Sequence, residues 1–145
     1  MKTPSEKIRS IAVLVLTIIF CAGCWVVRVK KACLGDACVV AEVADNPAAH
    51  RKGLMFRKSM PEDKGMLFIF RQAGPYGFWM KNTRFPLDII WIDAQKKIVD
   101  IYPNAIPCKD VCNTYAPSAS ALYVLEVNGG FTLKHRVRIG DVVRF

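Results

Sequence analysis

The sequence predicts an α+β fold, mainly an antiparallel β-sheet curled into a small barrel with one or two short helices. Short apolar runs of strand length greatly outnumber helical segments, and the connections between them are short, which is typical of such sheets. The chain has 145 residues and no internal repeat. Once a leader at 1–25 is set aside, the remaining length predicts a single domain at 26–145.

The first elements predicted are a hairpin and a short helix. Strands at about 26–33 and 38–44 flank a Gly-Asp turn. The helix is "PAAHRK", with Asp45 or Asn46 as its N-cap, Pro47 at its first position and Gly53 at its end.

The second half of the chain reads as strands and turns. The unbroken apolar run "MLFIF" predicts a buried strand, and "FWM" begins a strand that "TRFP" ends. A second hairpin, "LDIIWID" and "KKIVDIY", turns at Ala94-Gln95. "SALYVLEV" and "VVRF" are further strands, and the stretch between them holds a short helix or turn.

The N-terminus has the pattern of an export signal. Basic residues precede an apolar run of about ten residues, and "CAGC" follows. Ala22-Gly23-Cys24 resembles the lipobox of bacterial lipoproteins, with Cys24 as the lipidated residue, although Cys21 stands where leucine is preferred. An uncleaved membrane anchor over 11–27 and simple cleaved secretion remain alternatives. All three predict a domain in the cell envelope, outside the cytoplasmic membrane, and two of them attach it to the membrane.

The net charge of +9 is concentrated near this leader. Residues 1–31 carry six basic residues and one acidic residue, which leaves a surplus of only +4 for the rest of the chain. No basic helix or alternation of aromatic and basic residues is present, so we expect no nucleic-acid partner.

The four cysteines beyond the leader predict two local disulfides. Cys33 and Cys38 flank the first turn, and Cys108 and Cys112 lie in a loop between two prolines. An even number of cysteines suits an oxidising compartment. A zinc site of four thiolates is the alternative, but its usual C-x₂-C spacing is absent.

Five motifs, in this order, carry a family resemblance: "RKGLMFR", "GMLFIF", "FWMKNTRFPLDIIWID", "YVLEVNGG" and "IGDVV". They resemble domain-of-unknown-function family 192, exported prokaryotic proteins of uncharacterised function, over about residues 27–145. The resemblance implies a compact α+β domain. It implies no biochemical activity.

Polar residues in these motifs form the candidate site. We expect Glu126 to be half-buried on its strand and to need a cationic partner, which Arg57 or Lys81 would supply. One interpretation is an internal salt bridge that holds the turn. The other is a binding site for an unknown small molecule, glycan or protein, with a glycan or cell-wall fragment favoured. The candidate residues are Arg57, Trp79, Lys81, Asn82, Thr83, Asp88 and Glu126.

Two further function classes are alternatives. Asp88 and Glu126 would be the acidic pair of an envelope hydrolase, although no catalytic or cofactor motif is found. Met55, Met60, Met66 and Met80 would be soft ligands of a copper(I) carrier, with core packing as the competing interpretation. The two histidines, His50 and His135, read as surface residues. We therefore predict no metal, no cofactor and no catalytic residue, and lean toward a binding domain.

Overall fold

A computed structural model describes residues 27–145 of the chain. The leader, with the candidate lipidation residue Cys24, lies outside the described residues. None of the helices in 27–145 is long and apolar enough to cross a membrane. The elements are β1 (Val29–Leu34), β2 (Ala37–Ala44), α1 (Pro47–Lys52), β3 (Lys64–Gly74), β4 (Phe78–Trp79), β5 (Leu87–Ile92), β6 (Ile98–Ala105), β7 (Thr114–Tyr115), β8 (Ala121–Asn128), α2 (Phe131–Lys134) and β9 (Val143–Arg144).

A curled seven-stranded sheet dominates the fold, in the order β6-β5-β8-β3-β2-β1-β9, and β4 pairs separately with β7. The curl brings the segment before β9 back to the start of β6, where the Ile98 amide donates to the Asp141 carbonyl at 2.8 Å. The predicted fold class is confirmed, as a half-barrel with two short helices.

One pair of strands departs from the prediction of an antiparallel sheet. β2 and β3 run parallel, whereas all other neighbours in the large sheet are antiparallel. The chain between them contains α1, and a parallel pair requires a crossover of this kind. The sheet is therefore mixed.

The helix α1 begins and ends where its local sequence predicts. Asn46, rather than Asp45, is the N-cap, and its side-chain oxygen accepts a 3.0 Å hydrogen bond from the Ala49 amide. Gly53 ends the helix with a φ of +46°, a conformation in which a side chain would be strained.

Apolar side chains cover both faces of the sheet. Leu67, Ile90 and Leu125 belong to the cluster on one face, which we call the first core. Phe68, Ile89 and Val124 belong to the cluster on the opposite face, the second core. All six residues of β5 are buried, which explains why its sequence is almost continuously apolar.

Both predicted disulfides are present. Cys33 and Cys38 are directly paired across β1 and β2, and Cys108 and Cys112 close a small loop. The four thiols are therefore not available as zinc ligands.

Candidate functional site

Glu126 is a carboxyl group in an apolar layer. In the strand register it lies between Met66 on β3 and Ile89 on β5, and it shares its face with Val124 of the second core. Only 5% of the residue is exposed. The predicted half-buried acid is in fact almost completely buried.

The expected cationic partner of Glu126 is engaged elsewhere. Arg57 binds Glu42 with two hydrogen bonds, Nη1 to Oε1 at 2.5 Å and Nη2 to Oε2 at 2.7 Å. Within residues 27–145, Glu126 forms no ion pair, and its side chain accepts no hydrogen bond. Burial raises the pKa of Glu126 to about 8, although the nearby charge of Arg57 acts in the opposite direction. The carboxyl group is therefore mainly protonated at pH 7.

The Glu126 carboxyl group borders a cavity of about 140 Å³. No side-chain nitrogen or oxygen in the described part of the chain is both fully enclosed and unpaired. The unpaired carboxyl oxygens of Glu126 consequently keep contact with solvent, and the cavity is where this contact lies. A donor or acceptor that enters the cavity has access to a buried carboxylic acid.

Thr83 is a second buried polar residue on this cavity. It is 7% exposed, and its side chain has no hydrogen-bond partner among residues 27–145. The tight turn before it depends on Asn82, whose φ is +57°. The disulfide loop supports that turn, because the Asn82 amide donates to the Cys108 carbonyl at 2.9 Å and the Cys108 amide donates to the Met80 carbonyl.

Aromatic rings form much of the cavity wall. Phe70 and Tyr76 stack with centroids 3.6 Å apart, and Phe68 meets Phe78 edge-on at 4.9 Å. Trp79 is 50% exposed at the edge of this wall, where its indole ring presents a flat apolar surface.

Lys81, a predicted site residue, lines the cavity but forms no ion pair with Glu126. Its ammonium group lies 5.4 Å from the centroid of the Trp79 ring, a cation–π arrangement. Trp79, Lys81, Thr83 and Glu126 are thus brought together around one cavity, Asn82 shapes the adjacent turn, and Arg57 is held by Glu42.

Asp88 does not line this cavity, because its side chain points to the opposite face of the sheet. Its Oδ1 accepts from the amides of Asn104 and Gly130 at 2.8 and 2.9 Å. Its Oδ2 accepts from the amide and the hydroxyl of Thr132 at 2.7 and 2.6 Å. These four bonds fasten α2 and the end of β6. The structure does not bring Asp88 and Glu126 together as an acidic pair.

The methionines of the copper interpretation are mostly core residues. Met60, Met66 and Met80 belong to the second core and are at most 8% exposed, while Met55 is half-buried on the cavity wall. They do not converge at the surface as a carrier site requires.

His50 is a cavity residue that the sequence interpretation placed on the surface, and this was wrong. It is half-buried, its Nε2 lies 2.9 Å from the Ala44 carbonyl, and its ring packs 4.6 Å from Phe70. α1 ends at Lys52 and none of its residues is fully buried, so no apolar stripe along the helix marks His50 as an inward-facing residue.

The fold and the cavity define a small mixed-sheet domain with a buried acid under an aromatic-walled opening. The chain belongs to the DUF192 family, described as "Uncharacterized ACR, COG1430", whose model matches residues 29–145. This membership confirms the family resemblance of the five motifs. Among curated proteins, none matches the chain.

Two solved structures share the fold. One is a protein of Sinorhizobium meliloti 1021 described as a candidate transcription regulator; it is 32% identical, with a TM-score of 0.74, over 81% of this chain and 94% of that protein. The other is a protein of unknown function from Novosphingobium aromaticivorans DSM 12444; it is 31% identical, with a TM-score of 0.73, over 82% of this chain and 86% of that protein.

Proposed function

We propose that this protein is a small binding domain of the cell envelope, and that one end of a glycan or cell-wall fragment enters the cavity over Glu126. The observation that carries the proposal is the pair of buried polar side chains, Glu126 and Thr83, that line this cavity without a partner in residues 27–145. Both groups reach solvent only through the cavity, so they are available to a ligand that replaces the water there and forms hydrogen bonds with them.

The chemistry of the pair favours hydroxyl and amide groups. A protonated carboxyl group both donates and accepts a hydrogen bond, and so does a threonine hydroxyl. Sugar hydroxyls and N-acetyl groups have the same dual character. The exposed ring of Trp79 adds a flat apolar surface at the edge, which suits the apolar side of a sugar ring.

The cavity volume limits how much of a ligand enters. At about 140 Å³ the cavity is smaller than the roughly 300–1,000 Å³ of ordinary small-molecule sites. The cavity therefore suits one end of a ligand, and the rest of the molecule lies outside.

The predicted leader supports a place of action in the cell envelope. The export pattern, with a lipid at Cys24 or a spanning anchor as the attachment, supports a domain held at the outer side of the cytoplasmic membrane, where envelope glycans are found. The membrane would then be a partner only through the N-terminal segment.

A screen of the full chain in detergent against peptidoglycan fragments and oligosaccharides tests the proposal by thermal shift. We expect a stabilising ligand for the natural protein, and at least tenfold weaker binding for Glu126→Gln and Thr83→Val in calorimetry. Glu62→Gln, at an exposed acid outside the cavity, is the control and should bind normally. Ligands that bind all of these variants equally would show that the cavity is not the site.

A further inference from the structure

A second depression adjoins the cavity. It has a volume of about 450 Å³, and Phe56, Arg84 and Lys109 are among the residues that line it. Thr83 lines both concave regions, so the two regions adjoin at the turn that contains Thr83. We call this second region the outer groove.

The charged side chains that line the two regions are mainly positive. Among residues 27–145, only one acid lines them, Glu126, which is buried and mainly protonated at neutral pH. The cations that line them are Arg51, Lys52, Lys81, Arg84 and Lys109. Concave surfaces lined by one sign of charge concentrate ligands of the opposite sign. An anionic ligand is therefore favoured, and an amine is disfavoured.

Each region also has one exposed aromatic ring. Trp79 is 50% exposed at the cavity, and Phe56 is 59% exposed at the outer groove. Phe56 has a φ of +66°, a strained conformation for a bulky residue, and its amide donates to the Asn82 carbonyl at 2.9 Å. Such strain is maintained by surrounding structure and is enriched at binding sites.

We infer that the ligand is an acidic oligosaccharide, long enough to reach from the cavity over Glu126 across the Thr83 turn to Arg84 and Lys109 in the outer groove. This inference rests on the proposed function and adds the charge and the length of the ligand. The small cavity takes one sugar end, the two aromatic rings support sugar rings along the chain, and the cations pair with carboxylates.

A single-stranded nucleic acid is also an anionic chain that stacks on aromatic rings. The small cavity with its carboxyl and hydroxyl pair favours a hydroxyl-bearing chain end, and the predicted export keeps the domain away from cellular nucleic acid. An oligonucleotide of equal charge is therefore included in the test as a competitor.

Calorimetry with the full chain in detergent compares ligands matched in length but not in charge. Tetragalacturonate and its methyl ester form one pair, a hyaluronan tetrasaccharide and chitotetraose form another, and disaccharides of each type test length. We expect an acidic tetrasaccharide to bind at least about tenfold more tightly than its neutral counterpart, as a few partly exposed charge pairs would produce.

The variant Arg84→Gln with Lys109→Gln isolates the outer groove. Both side chains are exposed, so the fold should be retained. We expect this double variant to weaken the acidic tetrasaccharide about tenfold and to leave the disaccharide unchanged. Lys31→Gln with Arg138→Gln removes the same charge from exposed residues that line neither region, and should bind as the natural protein does.

Three results would overturn the inference. If neutral oligosaccharides bind as tightly as acidic ones and their binding depends on Glu126, the proposed function stands but the inference of an anionic ligand is rejected. An oligonucleotide that binds more tightly than every sugar would replace the ligand class. Failure of every acidic and neutral oligosaccharide to bind would reject both the inference and the proposed function.

Discussion

Asp88 and Glu126 lie on adjacent strands, and their surroundings give them different roles. Asp88 accepts four hydrogen bonds and is completely buried, so its carboxylate is a structural group. Glu126 is nearly as buried but has no such partners in the described residues, and burial raises its pKa to about 8. The number of hydrogen bonds that each carboxyl group accepts therefore distinguishes Asp88, a structural acid, from Glu126, a candidate binding acid.

The raised pKa of Glu126 predicts a stability that depends on pH. Its value of about 8 exceeds the ordinary 4.5, so between these values the folded protein holds a proton that the unfolded chain releases. The contribution is fully present below pH 4.5 and is lost as the pH rises toward 8, by up to about 1.4 kcal/mol per pH unit. Denaturant melts of Glu126→Gln between pH 5 and 8 should lack this slope. Glu62→Gln, an exposed acid, should retain it, and equal slopes in all three proteins would contradict the assignment.

Replacement of Asp88 should affect stability and not binding. Asp88→Asn places an amide where four donors converge, and we expect a loss of about 3 kcal/mol in the free energy of unfolding, since hydrogen bonds to charged groups contribute about 1.5–3 kcal/mol. Urea denaturation measures the loss, with the exposed Asp110→Asn as the control. A stable Asp88→Asn protein that no longer binds ligand would instead place Asp88 in the site.

At the scale of elements, the turn at 80–83 is shaped by its neighbours. The disulfide loop bonds to it through Cys108, and Asn82 adopts a left-handed conformation that asparagine tolerates better than most residues. Asn82→Ala should therefore cost about 1 kcal/mol in urea denaturation, and Asn82→Gly should be close to neutral, because glycine accepts a positive φ. A greater loss with glycine than with alanine would show that the side chain, not the backbone, is needed there.

Removal of each disulfide should affect a different part of the molecule. Each closes a very short loop, so the entropic cost of removing either is about 2 kcal/mol or less. Only the loop of Cys108 and Cys112 supports the turn. The double serine variant of that pair should speed hydrogen exchange at the Asn82 amide, while the double serine variant of Cys33 and Cys38 should not. Equal exchange in both variants would mean that the turn holds without the loop.

For the whole molecule, attachment to the membrane should depend on the leader alone. A chain that begins at Val26 should be soluble and should melt at the same temperature as the full protein, because residues 27–145 contain both cores. Cys24→Ser should abolish the lipid detected by mass spectrometry if Cys24 is the anchor. Unchanged mass together with unchanged membrane retention would support the spanning segment over 11–27, and membrane retention of the shortened chain would contradict both.

Local features of the chain determined much of the fold. The helix cap, predicted at Asp45 or Asn46, the Ala94-Gln95 hairpin and the two short-range disulfides each depend on residues within a few positions of one another. Strand periodicity and turn chemistry act over the same short range, so the sequence alone predicted these elements, together with the curled sheet and the family.

Tertiary structure alone decided which side chains share the cavity. Arg57 pairs with Glu42 rather than Glu126, and His50 turns inward. Asp88 projects away from Glu126 because Val127, and not Glu126, is its partner in the register of β5 and β8. Pairing between strands that are far apart in sequence sets which face each side chain occupies, and a shift of one residue reverses it. The physical reason is that local periodicity shows which residues alternate, whereas only the assembled register shows which of them meet.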